Sequence, residues 1–150
     1  MLPAALYLCS LLSPRELVLG HARADGTLQR LDVRDHERCL ILQKTSAERA
    51  AHMAMELFGG EASPDCYSFF RKSCNEILTQ ARREPAVCKR FDEALCGDPL
   101  GRALREAIDE VVKEGLCTNC TKMLRDGERD LRKAFWEKLP RLVGVKAEAV

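Results

Sequence analysis

The sequence has almost no net charge. Lys and Arg total 24 and Asp and Glu total 23, which leaves a formal charge of +1. That balance gives no electrostatic reason to expect nucleic acid or an anionic membrane as partner. Charge blocks are missing too: basic and acidic residues alternate along the chain, the pattern of solvated helix faces with i,i+4 pairs. The longest apolar run, Leu2 to Leu12, is too short to span a bilayer. No glycine loop follows a strand to cradle phosphate, because Gly59-Gly60 stands where a helix should end. Histidine is scarce, and His21, His36 and His52 lie in no local motif with Ser or Cys. Nucleophilic catalysis needs such a base beside its nucleophile. No enzyme and no small-molecule substrate are expected.

The N-terminus resembles a secretory leader only on the surface. Its apolar run has no Lys or Arg before it and carries Pro3 at its start. Arg15 and Glu16 separate it too far from the small-x-small triplet Ala22-Arg23-Ala24. The run reads instead as a helix, apolar on nearly every side, that other protein must cover.

Helical punctuation continues through the chain. Ser13-Pro14-Arg15-Glu16 combines an N-cap Ser, a Pro at the first helical position and a capping-box Glu, with Gly20 as the stop. The stretch around Asp25-Gly26 is a turn signal whose flanks predict a small hairpin. Asp32 caps a helix through Cys39 to Leu42, and Thr45-x-x-Glu48 predicts a new helix ending at Gly59-Gly60. Tyr67 to Arg83 reads as one long helix broken by Pro85, followed by a short helix through Val87, Cys88, Phe91 and Leu95. Asp98-Pro99 predicts the start of another, with Leu104, Ile108 and Val111 on its apolar stripe and Gly115 as its stop. A last helix carries Leu124, Leu131, Phe135, Trp136 and Leu139 on a core-facing side and ends at Pro140. The expected fold is all-α: a single bundle of six to eight helices with a hairpin-like finger near residues 21–31. Residues 1–145 form one domain on this reading, and 146–150 a frayed tail.

Cysteine is the residue in surplus, with eight in 150. Cys117-x-x-Cys120 is the sharpest local pattern. Its spacing lets two sulfurs face one centre while the turn leaves backbone N–H groups for thiolates. A zinc site wants four soft ligands, so the pair is half a site. Cys66 and Cys74 are the best second half, giving Cys66, Cys74, Cys117 and Cys120 as candidate zinc ligands; Cys88 and Cys96 are another pair. Two other readings stay open: buried reduced thiols packed as small hydrophobes, and disulfides. A thioredoxin-like role is disfavoured, since the chain offers no βαβ pattern around the motif.

Several phrases in order resemble one family. "LPAALYLC", then "RADGT", then "RCL", followed by "SPDC" and the closing "LCTNC" with "GERDLRKAFWEKLPRLVGV", are similar to the region downstream of the BTB (POZ) domain in the expanded BTB proteins of mushroom-forming fungi. The family's usual Phe-Gly-Leu ending is replaced here by Val143-Gly144-Val145. The resemblance implies a non-catalytic, intracellular (cytoplasmic or nuclear) protein-protein interaction region, with the BTB domain itself expected before residue 1. It further implies protein partners, itself included, and a partner- or substrate-binding part of a ubiquitin-ligase adaptor. A second resemblance rests on spacing alone. Cys88-x7-Cys96-x20-Cys117-x2-Cys120 is similar to the insect chemosensory proteins, which implies a small secreted carrier of apolar ligands with two short disulfide loops.

Overall fold

A computed structural model of the chain describes residues 2–67, 73–83 and 98–144. The protein is all-α, with six helices and one short hairpin among the described residues. The described residues gather into two compact units, one drawn from residues 2–46 with 137–144 and one from 47–67, 73–83 and 98–136. Among the described residues, no helix is long and apolar enough to cross a membrane.

The first unit opens with α1 (Leu2–Ser10) and α2 (Pro14–Leu19). The start of α2 is as its residues dictate. Ser13 Oγ accepts from the backbone N–H of Glu16, and the Glu16 side chain accepts from the Ser13 N–H, so two otherwise orphaned donors are satisfied. Gly20 then turns the chain at φ +81°, a conformation only glycine adopts without strain. The predicted finger is an antiparallel pair, β1 (His21–Ala22) with β2 (Leu28–Gln29), in register His21 to Gln29 and Ala22 to Leu28. Within this unit Leu6, Tyr7, Leu17, Cys39, Leu42, Leu139 and Val143 are buried. Cover of the apolar first helix is one-sided there: Leu6 and Tyr7 are buried, whereas Leu8 is 64% exposed and Leu2, Leu11 and Leu12 are also exposed.

Asp32 starts α3 (Val33–Gly59) as expected, its carboxylate accepting from Asp35 N–H at 2.8 Å. The new start predicted at Thr45 does not occur, and α3 runs unbroken for 27 residues. No Gly or Pro lies between Asp32 and Gly59, so nothing forces the chain out of the helix, and the Thr-x-x-Glu spacing is simply absorbed into it.

The second unit holds the larger hydrophobic core. Met53, Leu57 and Phe58 of α3, Ile77 and Leu78 of α4 (Cys74–Ala81), Leu104, Ile108 and Val111 of α5 (Ala103–Lys113) and Leu124 of α6 (Thr118–Leu142) all bury in one cluster. Three boundaries differ from expectation. Tyr67 lies outside any helix, and α4 begins at Cys74, because the Ser73 and Glu76 capping box fixes its start there. Asp98-Pro99 opens a turn, closed by Gly101 N–H on the Asp98 carbonyl at 3.0 Å, and α5 begins only at Ala103. Pro140 lies inside α6, which continues to Leu142; a proline in a final turn removes one donor, and the buried Leu139 and Val143 flank it. On that helix Phe135 is buried as predicted, but Trp136 is 51% exposed. Adjacent residues on a helix lie about 100° apart, so burying one turns the other outward. The predicted helix through Val87, Cys88, Phe91 and Leu95, the Cys88 and Cys96 pair, Phe70 and the tail 146–150 lie outside the described residues.

Candidate metal centre

Four sulfurs converge in the second unit. Cys66, Cys74, Cys117 and Cys120 each offer one Sγ, and all four lie within 4.8 Å of one another. Cys74, Cys117 and Cys120 are buried, and Cys66 is half-buried. The sequence-predicted ligands are thus brought together, across more than forty residues of chain.

Each comes from a different local device. Cys66 ends the turn Ser63-Pro64-Asp65-Cys66, closed by its N–H on the Ser63 carbonyl at 2.9 Å. Cys74 is the first residue of α4, about two turns earlier in its helix than the sequence suggested. Cys117 immediately precedes α6, and Cys120 lies in that helix's first turn. Gly115, at φ +104°, lets the chain leave α5 and swing into the cysteine turn; a side chain would be strained there. Two helix N-termini therefore meet at the sulfurs. Their unpaired N–H groups and positive dipole ends favour negative charge, which is what thiolates carry.

The donors point accordingly. Cys117 N–H approaches Cys74 Sγ at 3.4 Å, and Cys120 N–H approaches Cys117 Sγ at 3.5 Å. Burial works against the Cys117 thiolate. Backbone hydrogen bonds from Cys120 and Tyr67, together with the Cys120 and Cys74 thiols, outweigh it and hold Cys117 down at about 6. Cys120 goes the other way: burial pushes its thiol well up, and the neighbouring thiols of Cys117, Cys66 and Cys74 add to the rise. Four thiols at this range cannot all ionise without a cation to offset their mutual repulsion.

The spacing fits such a cation. Cys117 and Cys66 Sγ are 3.8 Å apart. A tetrahedral zinc with bonds of ~2.3 Å would set its sulfurs about 3.8 Å apart, whereas a disulfide needs ~2.05 Å.

Two residues that sequence reasoning missed hold the Cys66 loop in place. Asn75, next to Cys74, accepts the Ala62 N–H on its Oδ1 at 2.6 Å. Asn119, next to Cys120, donates from Nδ2 to the Asp65 carbonyl at 2.7 Å. Each asparagine thus ties the loop to the helix end that carries a cysteine. Their position beside Cys74 and Cys120 was the available signal, since ligand-bearing turns are commonly fixed by neighbouring polar side chains.

The other two cysteines among the described residues stand apart from this cluster. Cys9 is half-buried in α1, and Cys39 is fully buried in α3. No protein-family model, curated protein or solved structure matches the chain.

Proposed function

We propose that the chain is a non-catalytic helical interaction module whose second unit is stapled by a structural zinc ion on Cys66, Cys74, Cys117 and Cys120. One observation carries the reading: four sulfurs lie within 4.8 Å of one another, with the Cys66–Cys117 edge at 3.8 Å. Four thiolates complete the tetrahedral shell of zinc and leave no open position for water or substrate, which is the pattern of structural and not catalytic sites. The zinc joins a loop, α4 and α6, so it would fix helices far apart in sequence. The ordered phrases that resemble fungal post-BTB regions support placing this module in an intracellular adaptor of BTB type, where partner binding is the expected role.

The test is direct. Purified protein is assayed for zinc and titrated for thiols on the same sample. Near one zinc per chain, lost in Cys117→Ser and in Cys66→Ser, is the expected result; cobalt in its place should give the visible bands of a tetrahedral thiolate site. Eight readily titrated thiols and no metal would sink the zinc reading.

A further inference from the structure

The second unit carries a cleft that the metal centre does not use. It lies between the C-terminal end of α3 and the first half of α6, and its volume is about 350 Å³. Leu57, Met123 and Leu131 give it an apolar floor. Glu56, Glu61 and Asp130 supply its charged lining, and among the described residues no Lys, Arg or His lines it.

Gly127 makes the cleft. It lies in the interior of α6, where glycine costs about 1 kcal/mol relative to alanine. A Cβ there would lie 3.1 Å from Leu57 Cδ2, so the two helices approach closely and no side chain covers the floor. The basic groups beside these carboxylates reach them only at long ion-pair range: His52 Nδ1 is 3.8 Å from Glu56 and Arg129 Nε is 3.9 Å from Asp130, both too long for hydrogen bonds, and the Arg129 guanidinium pairs more closely with Asp126, at 2.9 Å. An apolar floor bordered by three carboxylates is complementary to an apolar side chain flanked by cations. The volume is at the small end of ligand pockets, which run from roughly 300 to 1,000 Å³. It suits one or two side chains and not a large cofactor.

We infer that this cleft is a docking site for a basic peptide segment of a partner protein: Leu57, Met123 and Leu131 receive one large aliphatic side chain, and Glu56, Glu61 and Asp130 pair with the Lys or Arg residues on either side. This rests on the interaction reading above and not on the zinc.

The probe is a capped Lys-Arg-Leu-Leu-Arg-Lys peptide, with a Glu-Glu-Leu-Leu-Glu-Glu peptide as control, titrated into ¹⁵N-labelled, metal-loaded full chain. The basic peptide should shift the amides of Gly60, Met123 and Gly127, and its affinity should fall at least tenfold in high salt. Gly127→Leu, which fills the cleft, and Glu61→Lys, which lies in the exposed turn after α3, should each weaken binding at least tenfold. Both variants should keep their zinc and helicity; Glu61→Lys alone decides the matter should the glycine variant unfold. The inference is overturned if the basic peptide shifts nothing, if the acidic peptide shifts the same amides equally, or if Glu61→Lys leaves affinity unchanged. Zinc measured on the same samples keeps the two readings separate. A zinc-loaded chain that ignores the basic peptide sinks the cleft alone, and a zinc-free chain that binds it at these amides sinks the metal alone.

Discussion

Cys39 in the first unit and Cys117 in the second are both buried thiols, yet their environments push them in opposite directions. Cys39 lies in the second turn of α3, past the first four residues, where the backbone N–H groups are already committed to the helix. Its S–H donates to the Leu6 carbonyl at 3.6 Å. Burial, with Cys9 and Asp35 nearby, pushes it up to about 11. Cys117 stands just before α6, where helix N–H groups are still unspent, and it is held down at about 6. What separates a packing thiol from a candidate ligand is therefore less its depth than whether backbone donors are left over to face it.

The strongest way to break that comparison is to remove the proposed zinc. Chelation, or Cys117→Ser, should remove stability on the order of 10 kcal/mol, the range known for structural zinc in small domains. Hydrogen exchange should rise most in α4 and the first turns of α6. Cys39→Val should leave zinc content unchanged; loss of zinc in that variant would contradict the division of roles. Next in size is Leu124→Ala, at a core position only 1% exposed. It should cost about 2–5 kcal/mol in chemical denaturation. Third comes pH. Because the folded Cys39 thiol is raised above its ordinary value of 9.0, its contribution is complete below that pH and lost as pH climbs towards about 11. The loss should reach about 2–3 kcal/mol, and Cys39→Val should remove that part of the alkaline slope.

The smallest effect sharpens the comparison most finely. Ser13 and Ser73 both close capping boxes, one in each unit. Ser13→Ala and Ser73→Ala should each cost ~1 kcal/mol. Only Ser73→Ala should also weaken zinc binding, because only that cap fixes the helix end carrying Cys74. Equal zinc affinity in the two variants would mean that the cap does not position the ligand.

These contrasts also show what was legible in the residues. The Ser13 box, the Gly20 stop, the Asp25-Gly26 finger and the Asp32 cap were all readable, since each is a contact between residues within a few positions of one another. The failures share a cause. Thr45-x-x-Glu48 has the form of a cap but no helix breaker beside it, so α3 continues through it. Asp98-Pro99 has the form of a helix start, and Gly101 just after it leaves room for a turn. Trp136 fits an apolar stripe by count, yet Phe135 beside it takes the buried position. Local signals state what a segment is able to do, and the packing around it selects among the options.

The candidate metal centre divides along the same line. Residue type and the Cys117-x-x-Cys120 spacing by themselves determined that these thiols can serve as soft ligands, and the interleaved charge and helical periodicity determined an all-α chain. Cys66 and Cys74 could be named from the sequence as the best second half, but only the tertiary structure decided that their sulfurs come within 4.8 Å of the Cys117 and Cys120 pair, that two helix N-termini face the sulfurs, and that Asn75 and Asn119 fasten the loop between them. The same holds for the cleft, which exists because Gly127 and Leu57 meet across seventy residues of chain. The physical reason is range: caps, turns and periodicity act over three or four residues, whereas a ligand set and a cleft are made by long-range burial, which no short window of sequence records.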